Sequence, residues 1–247
     1  MSGHSKWATI RRAKEKTDAK KGQVFTKVTK DIILAAKGGG DPALNARLRG
    51  VIAKAKSANM PNDKIETAIK KGTGELAGGE VFEMMYEGYA QGGVAMLVEV
   101  ATDNKNRTIA EVRHIISKGG GSMGEPGSVA WMFDKRGVFV FDKAKYTEDQ
   151  LMEVALEAGA DDVVDEGDTV EVRTNPEDYS AVEKAFEDAG FTPDSADLTM
   201  VPKNLTPVDA ATARKVMAIM ENLEDNEDVS AVYVTADFTD EIMEELG

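Results

Sequence analysis

Apolar side chains in the segment after residue 16 recur at the three- and four-residue spacing of amphipathic helices, which predicts three helices. The first ends at a run of three glycines. The second is predicted to begin at Asp41-Pro42, as N-cap and first helical position, and the third runs from near Pro61 to Gly72. Together they predict a small basic helical domain over residues 17–79, which ends in a glycine-rich linker. The apolar positions of the three stripes are Val24, Phe25, Val28, Ile32, Ala35, Ala36, Leu44, Leu48, Val51, Ile52, Ala55, Ile65, Ala68 and Ile69.

Beyond this linker the hydrophobic period changes to the alternation that predicts β-strands, interrupted by single helices. The unit over residues 80–137 lacks a closing helix and strand. A helix (209–223) and a strand (229–235) follow much later, and such a pair cannot bury a core by itself. We therefore expect residues 204–247 to return and complete the first unit. The predicted elements of that unit are strands Val81–Tyr86 and Val94–Val100 about a turn at Glu87–Gly93, helix Arg107–Lys118 and strand Ser128–Phe133.

The segment between, residues 138–203, is predicted to be an inserted domain. After a turn at Asp134–Gly137, its order is β-α-β-β-α-β, which is that of a ferredoxin-like split βαβ unit. The predicted fold class is α+β multidomain, with an N-terminal helical domain followed by two α/β domains, one of them ferredoxin-like (βαββαβ). Two consecutive α/β domains with a loosely docked C-terminus are the alternative. Residues 1–16 show no hydrophobic period and are interpreted as a flexible basic arm.

The charges are segregated along the chain. Its 247 residues have a formal net charge of −14, yet residues 1–71 contain 17 Lys and Arg against 6 Asp and Glu, and the remainder 13 against 38. Such asymmetry points to a nucleic acid or another polyanion as partner. Because the screening length is about 8 Å at physiological salt, we expect the basic segment to bind polyanions while the acidic body lies out of range.

A tryptophan stands among the cations of the N-terminal segment. Lysine and arginine neutralise phosphates, and a flat ring such as Trp7 stacks on an unpaired base. An exposed tryptophan is a poor solubiliser, so solubility alone does not explain the segment. The predicted nucleic-acid-binding residues are His4, Lys6, Trp7, Arg11, Arg12, Lys14, Lys16, Lys20, Lys21, Lys27 and Lys30.

Duplex DNA is the alternative ligand, because the second and third predicted helices could form a helix-turn-helix pair. The third helix, however, presents Asp63 and Glu66 outward and carries no arginine that could read bases. Structured RNA with single-stranded elements, ribosomal RNA above all, is therefore the favoured ligand.

Two further features are predicted to make secondary contacts with the same partner. One is the polar face of the helix that begins near Arg107, with the asparagines that precede it. The other is a glycine-rich loop that could offer backbone N–H groups, although it lacks the lysine of a nucleotide-binding loop and precedes a strand. A solvated helix face and a mobile connection are the alternatives. The predicted secondary contacts are Asn104, Lys105, Asn106, Arg107, His114, Gly119, Gly120, Gly124 and Gly127.

The sequence carries no motif of a known catalytic site. It has no P-loop, zinc-protease or nucleophile-elbow pattern, no cysteine and only 2 histidines, and its acidic runs lack the spacing of a calcium loop. We therefore predict a non-enzymatic protein with no cofactor, no metal and no small-molecule substrate. It has neither a secretory apolar region nor a run of about 20 apolar residues, so we expect a cytoplasmic protein without a membrane partner.

Seven short motifs are spread over the chain: GHSKW at residues 3–7, DAKKGQVFTK at 18–27, NMP at 59–61, YEGY at 86–89, DNKNRT at 103–108, EVRH at 111–114 and GGGSMGEPGSV at 119–129. In these the chain resembles YebC-like proteins (the YebC/PmpR family). The resemblance implies three domains, the last two of them α/β.

Members of that family are described as DNA-binding transcriptional regulators and as translational activators, some of which relieve ribosome stalls at proline runs. The resemblance thus implies a ribosome-associated factor that binds ribosomal RNA, with a DNA-binding transcriptional regulator as the alternative. Many relatives read GNLG where this chain has Gly121-Ser122-Met123, so no side-chain role for an asparagine carries over.

Overall fold

The computed structural model of the chain describes residues 21–246, apart from the side chain of Lys21. This part is a mixed α/β structure with eight α-helices, two four-stranded antiparallel sheets and one short parallel strand pair. The helices are α1 (Lys21–Ala36), α2 (Ala46–Ser57), α3 (Asn62–Thr73), α4 (Lys105–Lys118), α5 (Glu148–Glu157), α6 (Tyr179–Asp188), α7 (Ala210–Glu224) and α8 (Asp240–Leu246). The strands are β1 (Phe82–Tyr89), β2 (Ala95–Thr102), β3 (Ser122–Met123), β4 (Phe133–Asp142), β5 (Asp162–Asp165), β6 (Thr169–Thr174), β7 (Ser195–Pro202), β8 (Thr206–Pro207), β9 (Val229–Val234) and β10 (Ala236–Asp237).

The second helix begins later than predicted. Asn45, not Asp41, caps α2, because its side-chain oxygen accepts a hydrogen bond from the Leu48 N–H at 3.0 Å. Asp41 instead accepts from the Ala43 N–H within the preceding turn. An Asp-Pro pair opens turns as readily as helices, so Leu44, which the spacing places in the buried stripe, is 89% exposed.

The third helix ends later than predicted, because Gly72 lies inside α3. The helix continues to Thr73, and its cap is Gly74, whose φ of 82° lies in the left-handed region that glycine tolerates. Gly72 is a point of close approach: a Cβ there would lie 2.4 Å from the carbonyl oxygen of Ile33 and 2.6 Å from Ala36 Cβ. Helices α1 and α3 therefore touch through this glycine.

The first sheet has the strand order β3-β1-β2-β9, and each neighbouring pair is antiparallel. Helices α4 and α7 cover one face of it, and their apolar side chains share a core with β2 and β9. Strand β9, from near the C-terminus, pairs with β2 from Met96↔Val234 to Val100↔Val229. The register shifts between Glu99 and Val100, which leaves Ser230 as a bulge in β9.

Two predicted features of this first unit are wrong. Strand β1 continues through Glu87 to Tyr89 instead of turning at Glu87. Residues 128–133 do not form a strand; they contain a single 3₁₀ turn, Ala130–Met132, and β4 begins only after it. Val129 and Phe133 pack inward at the two ends of this segment, a pattern that periodicity alone does not distinguish from a short strand.

The second sheet has the strand order β5-β6-β4-β7 and is antiparallel throughout. Its elements follow the chain order β-α-β-β-α-β, and Phe139, Phe141 and Phe186 lie at the centre of its core. The predicted turn at Asp134–Gly137 is absent, because β4 pairs with β7 without interruption from its first residue. Gly137 serves close packing instead: a Cβ there would lie 2.6 Å from the ring of Tyr179.

The second face of the first sheet holds the other parts of the chain together. At one end Ala101 of β2 belongs to the core of helices α1 to α3. At the other end Val129 and Phe133 pack against Leu97 and Tyr233. The helical part and the second sheet therefore both rest on this face.

Replacing Gly72 by alanine is expected to destabilise the helical part, because the added methyl group would overlap the backbone of α1. Overpacking of this kind costs about 1–3 kcal/mol, which urea unfolding followed by circular dichroism would measure. A Cβ added at Gly50 of α2 would meet nothing within 4 Å, so Gly50→Ala is the matched control and should be neutral or slightly stabilising. Equal unfolding midpoints for the two variants would contradict the close approach.

Candidate nucleic-acid interface

The N-terminal cations predicted to bind nucleic acid fall mostly outside the described residues. For the side chain of Lys21, and for the residues before it, the structure therefore gives no geometry, and their role stays a prediction. The residues concerned are His4, Lys6, Trp7, Arg11, Arg12, Lys14, Lys16, Lys20 and Lys21.

Lys27 and Lys30, the last two cations of the predicted set, lie on the side of α1 that faces the acidic body. The Lys27 amine donates a hydrogen bond to the carbonyl oxygen of Glu224. The Lys30 amine donates to the carbonyl oxygen of Glu227 at 3.2 Å and forms an ion pair with the Asp228 carboxylate. Binding a phosphate through either amine would require breaking these contacts.

The Asp228 carboxylate is fully buried and collects donors from two helices. Besides Lys30 of α1, it accepts a hydrogen bond from Arg107 Nη2 at 2.7 Å and one from the Thr108 hydroxyl at 2.7 Å, both on α4. Burial by itself raises the pKa of Asp228, but the hydrogen bonds from Lys30, Thr108 and Arg107 outweigh it and hold the pKa at about 2. The Asp228 carboxylate is therefore charged at all physiological pH values.

The secondary contacts predicted on α4 do not share one environment. Asn104 is the N-cap of α4 and accepts from the Arg107 N–H at 3.1 Å. The Lys105 amine lies 3.8 Å from the centre of the Phe82 ring, a cation–π contact. Asn106 and His114 are exposed. Among the secondary contacts predicted on α4, Asn106 and His114 are therefore the two whose side chains are exposed and take no part in a helix cap, an ion pair or a cation–π contact described here.

The glycine-rich loop is a folded segment held by one buried carboxylate. Glu87 of β1 accepts hydrogen bonds from the backbone N–H groups of Gly127, Val129 and Ala130, the last two at 2.7 and 2.8 Å. Burial raises its pKa, but these backbone hydrogen bonds dominate, so the pKa of Glu87 lies below its ordinary value. The loop N–H groups that could cradle a phosphate are thus already paired at these positions.

The other predicted loop positions are likewise engaged within the fold. The N–H groups of Gly119, Gly120 and Gly124 donate to carbonyl oxygens of Ile115, Ser117 and Glu87. A Cβ at Gly119 would lie 2.2 Å from the Ile219 side chain, and one at Gly124 would lie 2.4 Å from Ser128 Oγ. Close packing accounts for glycine at these two positions.

Helix α3 would be the recognition helix if α2 and α3 formed the helix-turn-helix pair of the alternative prediction. Asp63 and Glu66 are exposed on it, near its N-terminus, where such helices contact base edges. The cations on the same helix, Lys64, Lys70 and Lys71, are exposed as well. Two carboxylates at the reading end oppose insertion into a phosphate-lined groove.

The structural roles of Asp228, Thr108 and Glu87 at this candidate site were not predicted from the sequence. Asp228 stands in the run Glu224-Asp225-Asn226-Glu227-Asp228, which by its composition alone reads as a solvated segment, and Glu87 falls in a predicted turn. The available indications were the position of Asp228 directly before an apolar strand, and the place of Glu87 and Thr108 within the YEGY and DNKNRT motifs. Within residues 22–246, no group of acidic or histidine side chains is arranged to hold a metal ion, and none of the helices could cross a membrane.

Comparison with known proteins matches the chain over nearly its whole length. The family model described as TACO1/YebC protein N-terminal domain matches residues 5–75, and that described as TACO1/YebC second and third domain matches residues 81–236. A protein of Maridesulfovibrio salexigens named "Probable transcriptional regulatory protein" is 66% identical over 246 residues, which are 100% of this chain and 99% of that protein.

Two further similarities extend the comparison. A protein of Solidesulfovibrio magneticus with the same name is 55% identical over 243 residues, covering 98% of this chain and 99% of that one. The crystal structure of a conserved hypothetical protein, Aq1575, from Aquifex aeolicus is similar with a TM-score of 0.81 and 40% identity, covering 89% of this chain and 91% of that one.

Asp228→Asn is expected to destabilise the protein at neutral pH and to matter less in acid. Because the folded-state pKa of about 2 lies below the ordinary 3.8, the carboxylate stabilises the fold above pH 4 and loses this effect as pH falls toward 2. The difference from the natural protein should be about 2 kcal/mol at pH 7. Urea unfolding at a series of pH values measures it.

The matched control for this experiment is Glu227→Gln, which removes a neighbouring exposed carboxylate and should change the unfolding free energy by less than about 0.5 kcal/mol. A destabilisation by Asp228→Asn that stays the same from pH 7 to pH 2 would show that the charge is not what stabilises the contact.

Glu87→Gln is expected to loosen the glycine-rich loop, because an amide offers one acceptor oxygen where the carboxylate serves three N–H donors. Amide hydrogen exchange at Val129 and Ala130 should become roughly tenfold faster or more. Glu125→Gln, at an exposed position of the same loop, should leave both rates unchanged. Unaltered exchange in the Glu87 variant would mean that the loop is ordered by other contacts.

Proposed function

Because the chain belongs to the TACO1/YebC family, we propose that it is a non-enzymatic, nucleic-acid-binding regulator of gene expression. Its partner in this proposal is the ribosome, which it binds through ribosomal RNA and on which it supports elongation at difficult sequences. The protein acts in the cytoplasm without a cofactor or a metal ion.

The observation that carries this proposal is the concentration of cations in the first part of the chain. Residues 1–71 hold 17 cations against 6 anions. Among the described residues, Lys27, Lys30 and Arg107 contact the acidic segment 224–228. The predicted binding set is thereby concentrated in residues 4–21. Such a segment suits RNA, where cations meet phosphates and Trp7 stacks on an unpaired base.

A second candidate, a DNA-binding transcriptional regulator, is favoured by the names of the relatives. The exposed carboxylates Asp63 and Glu66 on α3 argue against major-groove reading by a helix-turn-helix. Binding to duplex DNA would then rest on the N-terminal cations alone and be largely independent of base sequence.

We keep the domain division as part of the proposal: an arm (1–16), a helical domain with its linker (17–79), an α/β domain formed by 80–137 with 204–247, and an inserted ferredoxin-like domain (138–203). The strand orders of the two sheets support it. The limit between 137 and 138 needs adjustment, because it falls within the continuous strand β4.

Replacing Lys6, Trp7, Arg11 and Arg12 together by alanine is expected to release the protein from ribosomes in sucrose gradients. In binding to single-stranded RNA, about six engaged cations give a log–log salt slope near −4, and the loss of three should reduce it to about −2. The matched control removes three exposed cations of α4 and α7, Lys118, Arg214 and Lys215, and should leave co-sedimentation unchanged.

Unchanged co-sedimentation of the arm variant would refute the ribosome assignment. A footprint on promoter duplex that survives competition by excess ribosomal RNA would support the transcriptional alternative instead.

A further inference from the structure

Trp131 is the one aromatic side chain among residues 22–246 that is mostly exposed, with 66% of its surface accessible. The phenylalanines and tyrosines of this range are buried or half-buried. Tryptophan brings the largest apolar surface of any residue, and chains normally bury most of it. Packing within the described fold therefore does not explain why Trp131 is exposed.

The indole forms one hydrogen bond to its own turn, and the chain on either side of it is anchored in the core. Its Nε1–H donates to the carbonyl oxygen of Ser128 at 3.0 Å. Val129 and Phe133, on either side of it in the chain, are buried against the first sheet. The hydrogen bonds from Val129 and Ala130 to the Glu87 carboxylate also hold the turn. The exposed ring is therefore preorganised for a ligand.

One lysine, Lys203, is hydrogen-bonded through its backbone to the turn that carries the ring. The Lys203 N–H donates to the carbonyl oxygen of Met132 at 2.9 Å, which brings a lysine next to the turn. Its side chain is 44% exposed and pairs with Asp134 at 3.3 Å, a surface contact that solvent screens and a phosphate could replace.

Trp131 is the one exposed large apolar side chain at this turn. The other exposed large apolar side chains lie on other elements: Leu44, Leu76, Met85, Leu156 and Leu198. Protein-binding hot spots are normally surrounded by further contacts that exclude water, whereas a base needs one flat ring and a cation for its phosphate.

We propose that Trp131 is a stacking site for one unpaired base of single-stranded nucleic acid, with Lys203, which is hydrogen-bonded to the same turn, as the cation for an adjacent phosphate. This inference rests on the proposed function and adds a contact on the folded body to the one predicted in residues 4–21. The predicted contact through the glycine-loop N–H groups, which are paired internally, is thereby replaced by a contact through an exposed ring and a surface lysine.

The test uses the full-length chain and oligouridylate as a single-stranded probe, with oligothymidylate and a duplex of the same length beside it. Trp131→Ala should weaken oligouridylate binding roughly five- to hundredfold, Trp131→Phe should weaken it less, and Lys203→Ala should lower the salt slope by about 0.7. Leu156→Ala, which removes another exposed apolar side chain, is the matched control and should bind as the natural protein does. If Trp131→Ala weakens oligothymidylate binding to the same extent, the site binds bases of both RNA and DNA.

A spectroscopic measurement reports directly on the ring. The chain has 2 tryptophans, so in a Trp7→Phe protein Trp131 is the sole tryptophan, and stacking should quench its fluorescence saturably with oligouridylate but not with duplex. If the natural protein binds the oligonucleotide while Trp131→Ala binds equally and no quenching occurs, this inference fails and the proposed function stands. If the natural protein binds no nucleic acid, both fail. A Trp131→Ala protein that loses ribosomes but keeps oligouridylate would show a protein contact and overturn the stacking site.

Discussion

The buried carboxylate of Asp228 is the interaction on which the arrangement of the chain depends. An isolated buried charge is costly, and the removal of a donor takes away part of what compensates that cost. Lys30 brings α1 to it, and Arg107 and Thr108 bring α4. Its own carbonyl oxygen accepts from the Ala101 N–H at 2.8 Å, beside the bulge in β9. The helical part, the first sheet and the C-terminal segment are therefore joined at one point.

A second group of carboxylates along the same contact behaves in the opposite way. Burial raises the pKa of Asp31 on α1, although Ser230, the bulged residue of β9, donates a hydrogen bond to it at 3.0 Å. Burial likewise raises the pKa of Glu99, which accepts from the Tyr233 hydroxyl at 2.9 Å. These two acids weaken the contact as they ionise, while Asp228 strengthens it. The contact between α1 and the first sheet is thus polar. As pH rises, ionisation of Asp228 stabilises it, whereas ionisation of Asp31 and Glu99 destabilises it.

The helices and most strands could be predicted from local spacing, because apolar periodicity reports directly which face is buried. The helix predicted at 107–118, for example, is observed at 105–118. The wrong predictions concern residue types that occur in two different structural settings. Gly72 and Gly137 suit a break in the chain, but each marks a close approach to Ile33 or Tyr179. Glu87 and Asp228 owe their roles to partners 40 and 121 residues away, and no local pattern records those pairings.

Contact, not distance along the chain, decides which cations are available to a nucleic acid. The expectation that the acidic body lies beyond the screening length from the basic segment is wrong for Lys27 and Lys30, because both touch residues 224–228 directly. Exposed groups separated by more than about 8 Å are screened from one another. The proposal therefore requires that the cations before residue 22 bind nucleic acid at more than this distance from residues 224–228.

The same argument applies to the body. Glu87 occupies loop N–H groups that could have served a phosphate, and in doing so it fixes the turn that exposes Trp131. The acidic residues therefore do not simply oppose a polyanion: by pairing some donors inside the fold, they determine which ring and which amines are left at the surface to bind it.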